Sequence, residues 1–197
     1  MNAAVLLDEP LTRSRRLKAA THESHDRLDK RIMADDPFAD RERYGRFLDV
    51  QYRFHHEIDR LYRHDGLRAI IPDLQSRRRL GLIRKDMEDI GAKIPELREG
   101  DDYLMDVPNA LGWLYVAEGS NLGAAFLLKE AAKLGLSEGF GARHLAGAPE
   151  GRGRHWRAFT AALDGLDLDP AGEDRLVEGA REAFARVRSL VDSRFAD

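Results

Sequence analysis

There is no cysteine anywhere in the 197 residues of this chain. That absence removes a disulfide scaffold, an iron–sulfur cluster, a thiolate-bound metal and a cysteine nucleophile together. It also suits a reducing compartment. No apolar stretch is long enough to span a bilayer. The opening residues Met1-Asn2-Ala3-Ala4-Val5-Leu6-Leu7-Asp8 have no basic n-region and too short an apolar run for a signal peptide. A cytoplasmic protein with no membrane attachment is therefore expected. Net charge is scarce too, formally -3, so the surface as a whole is not built to grip nucleic acid.

Several catalytic signatures are missing. No glutamate has a histidine three residues later, which argues against a di-iron carboxylate bundle. Neither Gly139-Phe140-Gly141 nor Gly151-Arg152-Gly153 completes a dinucleotide fingerprint, and Gly119-Ser120-Asn121 lacks the Gly-x-Ser-x-Gly order. No segment alternates long enough to read as a strand.

What remains is helix. The length suits one domain, and 43% hydrophobic with 34% charged residues reads as an ordinary globular chain. Residues 1–10 are expected to be a flexible N-terminal segment. A first helix should start at Leu11 or Thr12 and run to about Ile32. A second begins after Asp40, a good N-cap, with Tyr44, Phe47, Leu48, Phe54, Ile58 and Leu61 on one stripe. A third covers Leu74 to Ile90 and stops at Gly91; a fourth is capped by Asp106, carries Pro108 in its first turn and ends before Gly135. A fifth spans Gly153 to Leu163 and a sixth Pro170 to Ser193. Two basic clusters stand out, Arg13-Arg15-Arg16-Lys18 and Arg77-Arg78-Arg79, and the second reads as a solvated helix face.

Two helices carry candidate chemistry. Residues three, four and seven apart on a helix share a face, so Lys18, His25 and Asp29 line up on the first. Lys18 and His25 are about 10 Å apart along the axis, comparable with the distance from a porphyrin centre to its propionate edge. Asp29 is placed to accept the second ring N–H of His25 and fix its tautomer. An iron ligand and an ordinary surface histidine both fit this pattern. On the fourth helix, Gly119 and Gly123 strip one face of side chains at a cost of about 1 kcal/mol each relative to alanine. Either something flat approaches the backbone there, or a neighbouring helix packs closely; Tyr115 borders the patch one turn earlier.

The two segments together carry a resemblance. Leu17-Lys18-Ala19-Ala20-Thr21-His22-Glu23-Ser24-His25 resembles the proximal-helix motif of the haem (heme) oxygenase family, in which a threonine stands four residues before the iron-binding histidine. Tyr115 to Gly123, centred on Glu118-Gly119-Ser120-Asn121-Leu122-Gly123, is similar to the distal helix of the family's bacterial branch. Ser120 departs from mammalian-type members, which have an aspartate after the first distal glycine. That departure suggests backbone groups and other side chains order the distal water.

The resemblance implies an all-α, single-domain fold with haem sandwiched between a proximal and a glycine-kinked distal helix. It implies haem b as substrate and cofactor, with O2 and electrons from a ferredoxin or flavin reductase, yielding biliverdin, carbon monoxide and ferrous iron. His25 would be the proximal iron ligand; His22 competes, but the threonine spacing and the alignment with Lys18 favour His25. Gly119, Ser120, Asn121 and Gly123 would border the oxygen and water pocket. Gln51, His55 and His144 would join its water network. Lys18 and Tyr115 would hold propionates, and members alike at both positions generally cut at the alpha meso carbon. Thr21 and Phe126 would complete the haem-binding set, with Asp29 behind His25. Phe184 is a further ring contact, while Trp113, Trp156 and Phe159 read as core. A basic rim from Arg13 to Lys18 would dock an acidic electron donor. A monomer is expected. The rival reading is a non-catalytic haem storage or sensing protein on the same scaffold.

Overall fold

A computed structural model describes residues 11–97 and 105–195, so the expected flexible segment 1–10 lies outside the described residues. Seven α-helices and no strand occur among the described residues. Their starts follow from capping chemistry. The Thr12 hydroxyl accepts from the Arg15 N–H to open α1 (Arg13–Ala34), and the Asp40 carboxylate accepts from the Arg43 N–H, 2.8 Å away, to open α2 (Arg41–Ile58). Asp106 does the same for α5 (Val107–Lys133), where Pro108 occupies the first turn. Asp169 opens α7 (Pro170–Arg194). Glycine supplies stops: Gly91 and Gly135 have positive φ, 68° and 76°, a conformation that ends a helix at little cost.

The third predicted helix is broken into two. Leu74–Arg77 form a 3-10 turn, Arg78 is extended, and α4 (Leu80–Asp89) begins only afterwards. The cause is the supposed solvated basic face. Arg77 is buried in an ion pair with Glu118, Arg78 binds Asp59 through two nitrogens, and Arg79 donates to the carbonyls of His144 and Ala146. Three consecutive arginines reaching inward to partners on separate elements are incompatible with one continuous helix. A short α3 (Asp65–Ile70), unforeseen in the sequence, connects a 3-10 turn at Asp59–Arg63 to this region. The last connection ends in α6 (Arg152–Asp164).

Helices α5 and α7 form the central pair; α1 packs on α7, α6 on α5 and α2 on both, while α4 packs on α2. A core of Leu17, Phe54, Ile58, Leu111, Leu114, Phe159, Leu176 and Val187 joins α1, α2, α5, α6 and α7. A second core, around Tyr44, Phe47, Leu48, Ile83, Met87 and Leu145, fastens α2 to α4 and the loop before α6. The close helix crossing that a small-residue stripe permits does exist, but not at Gly119 and Gly123. It lies at Gly112 and Gly179: a Cβ on Gly112 would be 2.3 Å from the Leu176 carbonyl oxygen, and one on Gly179 would be 2.2 Å from that of Asn109.

Backbone on both sides of that crossing cannot yield to a methyl group. Gly112→Ala or Gly179→Ala is expected to destabilise the fold by about 3 kcal/mol, read as a lowered urea midpoint at unchanged slope. A midpoint equal to the parent's would show that the helices can separate without cost.

Candidate active site

His25 stands on α1 with its side chain 56% exposed, and its Nδ1 is 3.3 Å from the Asp29 carboxylate one turn on. That leaves Nε2 for a ligand. Phe184 of α7 presents itself edge-on to the imidazole, ring centroids 5.9 Å apart at 72°. His22, even more exposed, pairs with Asp26 and has no such aromatic neighbour among the described residues. Lys18 is exposed two turns before His25. Thr21 faces the core, where its hydroxyl donates to the Leu17 carbonyl at 2.7 Å, so it shapes the turn beneath the histidine.

Helix α5 runs unbroken through both glycines. A Cβ built on Gly123 would meet nothing within 4 Å, and one on Gly119 would meet only the Trp156 ring edge at 3.5 Å. The face is thus open at Gly123, while at Gly119 it is bordered by the edge of Trp156 from the neighbouring helix that ends the glycine-rich loop. Leu122 and Phe126, one turn apart on α5, are 44% and 54% exposed, an unusual state for large apolar residues one turn apart. Tyr115 is buried with its ring 5.4 Å from that of Trp156, which stacks in turn on Phe159. The Ser120 hydroxyl donates to the Ala117 carbonyl, and Asn121 is buried with its own carbonyl accepting from Arg152. Helices α1 and α5 share α6 and α7 as supports yet scarcely touch each other. An exposed imidazole braced by a carboxylate, and an uncovered apolar backbone stretch on the other helix, fit a flat iron-bearing ring between them.

Behind α5 lies a buried polar seam. Glu118, 2% exposed, accepts from Arg77 at 3.0 Å and from the Tyr62 hydroxyl at 3.2 Å, with His155 Nε2 at 3.5 Å. Burial and the Glu118 charge together push the Tyr62 phenol well above its ordinary range. Asp86 accepts from the backbone N–H groups of Arg143 and His144, and lies 2.8 Å from His144 Nδ1. His55 and His144 are both buried, and His55 Nδ1 and His144 Nε2 have no protein partner. Buried polar nitrogens of this kind call for water. Burial, then the charges of Arg79 and His144, push the His55 imidazole down to about 3. Burial also lowers His144, against the opposing pull of Asp86. Gln51 sits one turn before His55 on α2, half-buried.

The structure therefore brings His25, Asp29 and Phe184 together on one side, and Tyr115, Gly119 and Trp156 on the other. His55 and His144 lie near enough to influence one another. Trp156, read as plain core, instead borders Gly119. The basic rim expected from Arg13 to Lys18 needs correction. Arg13 is buried, bound to Glu173 and the Leu163 carbonyl, and Arg16 shares Glu173, so of this cluster Arg15 and Lys18 are the cations with no ion pair among the described residues. Farther along α1 and α7, Arg27, Lys30, Arg31 and Arg188 line an open dish of about 570 Å³. Three of its cations are already paired, with Glu23, Asp35 and Asp192. The seam around Glu118 was missed as well. Its one signal in the sequence is a lone carboxylate directly after an apolar run, Ala110 to Ala117.

Unfolded, His55 titrates near 6.5; in the native fold it is protonated only near pH 3. As pH falls below 6.5 the unfolded chain takes up a proton that the folded one refuses, so stability declines, by at most about 1.4 kcal/mol per pH unit for this group. Urea midpoints should fall between about pH 7.5 and about pH 5, and fall less in His55→Gln. An identical decline in both proteins would remove His55 from the cause.

A family model described as heme oxygenase matches residues 11–193. The curated heme oxygenase PigA of Pseudomonas aeruginosa is 44% identical over 188 residues, 93% of each chain. A solved structure of the NO- and CO-bound heme oxygenase from Neisseria meningitidis is 42% identical, covers 94% of this chain and 93% of that one, and superposes with a TM-score of 0.89. The heme oxygenase from Leptospira interrogans, at 15% identity and TM-score 0.73 over 93% of this chain and 100% of that one, shares the fold. These matches run through both helices of the site, and they settle the choice between enzyme and passive binder. The chain belongs to the haem oxygenase family and is an enzyme that degrades haem.

Proposed function

We propose that this enzyme opens haem b oxidatively to biliverdin IX-alpha, carbon monoxide and ferrous iron. It would use O2 and electrons from a ferredoxin or flavin reductase, acting as a cytoplasmic monomer. The observation that carries this reading is the pairing of a braced, exposed His25 with the open backbone at Gly119 and Gly123. Bound haem supplies the iron that activates dioxygen and the meso carbon that is attacked. His25 binds the iron through Nε2, while Asp29 holds Nδ1 and so fixes the ring plane. Phe184 limits rotation of the imidazole.

Across the ring, Gly119 and Gly123 keep side chains away from the reacting face and leave space for dioxygen. Orientation and exclusion are the protein's share of the work. The Ser120 hydroxyl and the Asn121 backbone carbonyl are occupied within the protein, so the water beside the glycines would be held by other backbone groups, the Asn121 side-chain amide and the seam containing Gln51, His55 and His144. Lys18, on the exposed face of α1, and Tyr115, beside Trp156, take the propionates and set in-plane rotation. With haem bound, that hold would favour cleavage at the alpha meso carbon. Leu122 and Phe126 cover the ring's apolar edge.

With haem, reductant and air, the Soret band should disappear as a broad red verdin absorption grows; a stable ferric or ferrous–oxy spectrum would overturn the cleavage reading. His25→Ala should abolish tight axial ligation. Lys18→Ala with Tyr115→Phe should redistribute the biliverdin isomers, and an unchanged product chromatogram would remove both residues from regiochemistry. Gly123→Ala meets no neighbour, so the haem-free protein should gain up to about 1 kcal/mol of stability while haem turnover falls. A stabilised variant with full turnover would show that the bare face is not needed.

A further inference from the structure

We propose that Glu150, His155 and Glu118 form a proton inlet for haem cleavage, carrying protons from solvent to the polar seam behind α5. The inlet rests on the cleavage reading above, because reductive oxygen chemistry takes up protons along with electrons. The three side chains are graded in exposure. Glu150 is 39% exposed, His155 11% and Glu118 2%. Glu150 Oε1 is 2.7 Å from His155 Nδ1, and His155 Nε2 is 3.5 Å from Glu118 Oε2. The other Glu118 oxygen accepts from Tyr62, which is fully buried. Arg79, whose charge reaches Tyr62, donates to the His144 carbonyl, and His144 Nε2 and His55 Nδ1 have no protein partner and call for water.

Neutralising Arg77 does not by itself account for Glu118. Arg77 already has Asp73 at 2.8 Å besides Glu118, and it also donates to the His155 carbonyl. A histidine inserted between an exposed and a buried carboxylate is the arrangement that moves a proton inward. The groups facing His155 are Glu118 from α5, Glu150 from the preceding loop and Arg77 from the 3-10 turn. The two carboxylates raise the imidazole above its ordinary value, against burial and Arg77, so it holds a proton nearer neutrality.

In one cycle the imidazolium gives its Nε2 proton to Glu118 Oε2, leaving a neutral ring protonated at Nδ1. The ring, slightly open to solvent, turns over. The Glu150 carboxylate takes up a proton from bulk water, hands it to the bare nitrogen and is a carboxylate again. Once Glu118 gives its own proton to water in the seam, charge and proton count are restored.

The test uses His155→Gln and Glu150→Gln, the second a surface change that leaves the buried pair intact. In haem-free protein, NMR titration of 15N-labelled histidine should place His155 above its ordinary value, and Glu150→Gln should lower it. Both variants should bind haem; Glu150→Gln should melt like the parent, and His155→Gln, which takes a partner from buried Glu118, should melt lower. Each should nonetheless convert haem at least about fivefold more slowly at neutral pH, under excess reductant, with an enlarged solvent deuterium isotope effect. The Glu150→Gln rate should recover as pH is lowered. Parent-like rates, pH profiles and isotope effects in both variants would overturn the inlet, as would a His155 that titrates normally and ignores Glu150. Haem left intact by the parent itself would instead overturn the cleavage reading, and the inlet with it.

Discussion

Backbone meets backbone where α5 crosses α7. Gly112 and Gly179 remove the side chains that would otherwise hold the axes apart, so the two helices approach to direct contact. Preferred interaxial distances of 8–10 Å belong to pairs with side chains at the contact; a doubly glycine crossing is closer and fixes its own position. Everything in the site is measured from it. Two turns after Gly112, the same helix presents Gly119 and then Gly123, and α7 one turn after Gly179 presents Phe184 to the imidazole on α1. The four glycines thus have opposite roles. One pair draws protein onto protein, while the other keeps protein away.

A second constraint comes from the seam on the other side of α5. Burying Glu118 is costly unless its oxygens are fully met, and Arg77, Tyr62 and His155 meet them from three elements. Those partners tie the 3-10 turn at residue 77 and the start of α6 to the middle of α5. The helix is held by apolar contact and glycine crossing on one flank, and by directional polar bonds on another. Its remaining face is left free for a substrate. Preorganisation of this kind places the cost of ordering in folding and not in the reaction.

The sequence was most legible where one local rule decided the outcome. Asp40 and Asp106 open two helices as N-caps, and Gly91 and Gly135 close two. The face shared by Lys18, His25 and Asp29 follows from helical periodicity alone. Legibility failed where charge turned inward. Arg77, Arg78 and Arg79 look like a solvated surface because nothing near them in sequence shows that Glu118, Asp59 and the His144 carbonyl wait across the fold. Arg13 deceived for the same reason, since its partners Glu173 and Leu163 are remote in the chain. Glycine was ambiguous in kind: a bare stripe on α5 was readable, but which of its positions faces another helix was a tertiary fact.

Asp86 fixes the tautomer of a buried histidine in the loop before α6. Asp86 collects two backbone N–H groups as well as His144 Nδ1, and these contacts hold it well within its charged range despite burial. A carboxylate so occupied can only accept, so the imidazole proton must sit on Nδ1. The opposite nitrogen then carries a lone pair. His144 is in consequence locked as a tautomer that receives hydrogen bonds from the cavity, and any water it holds must aim a hydrogen toward the ring and turn its own oxygen outward.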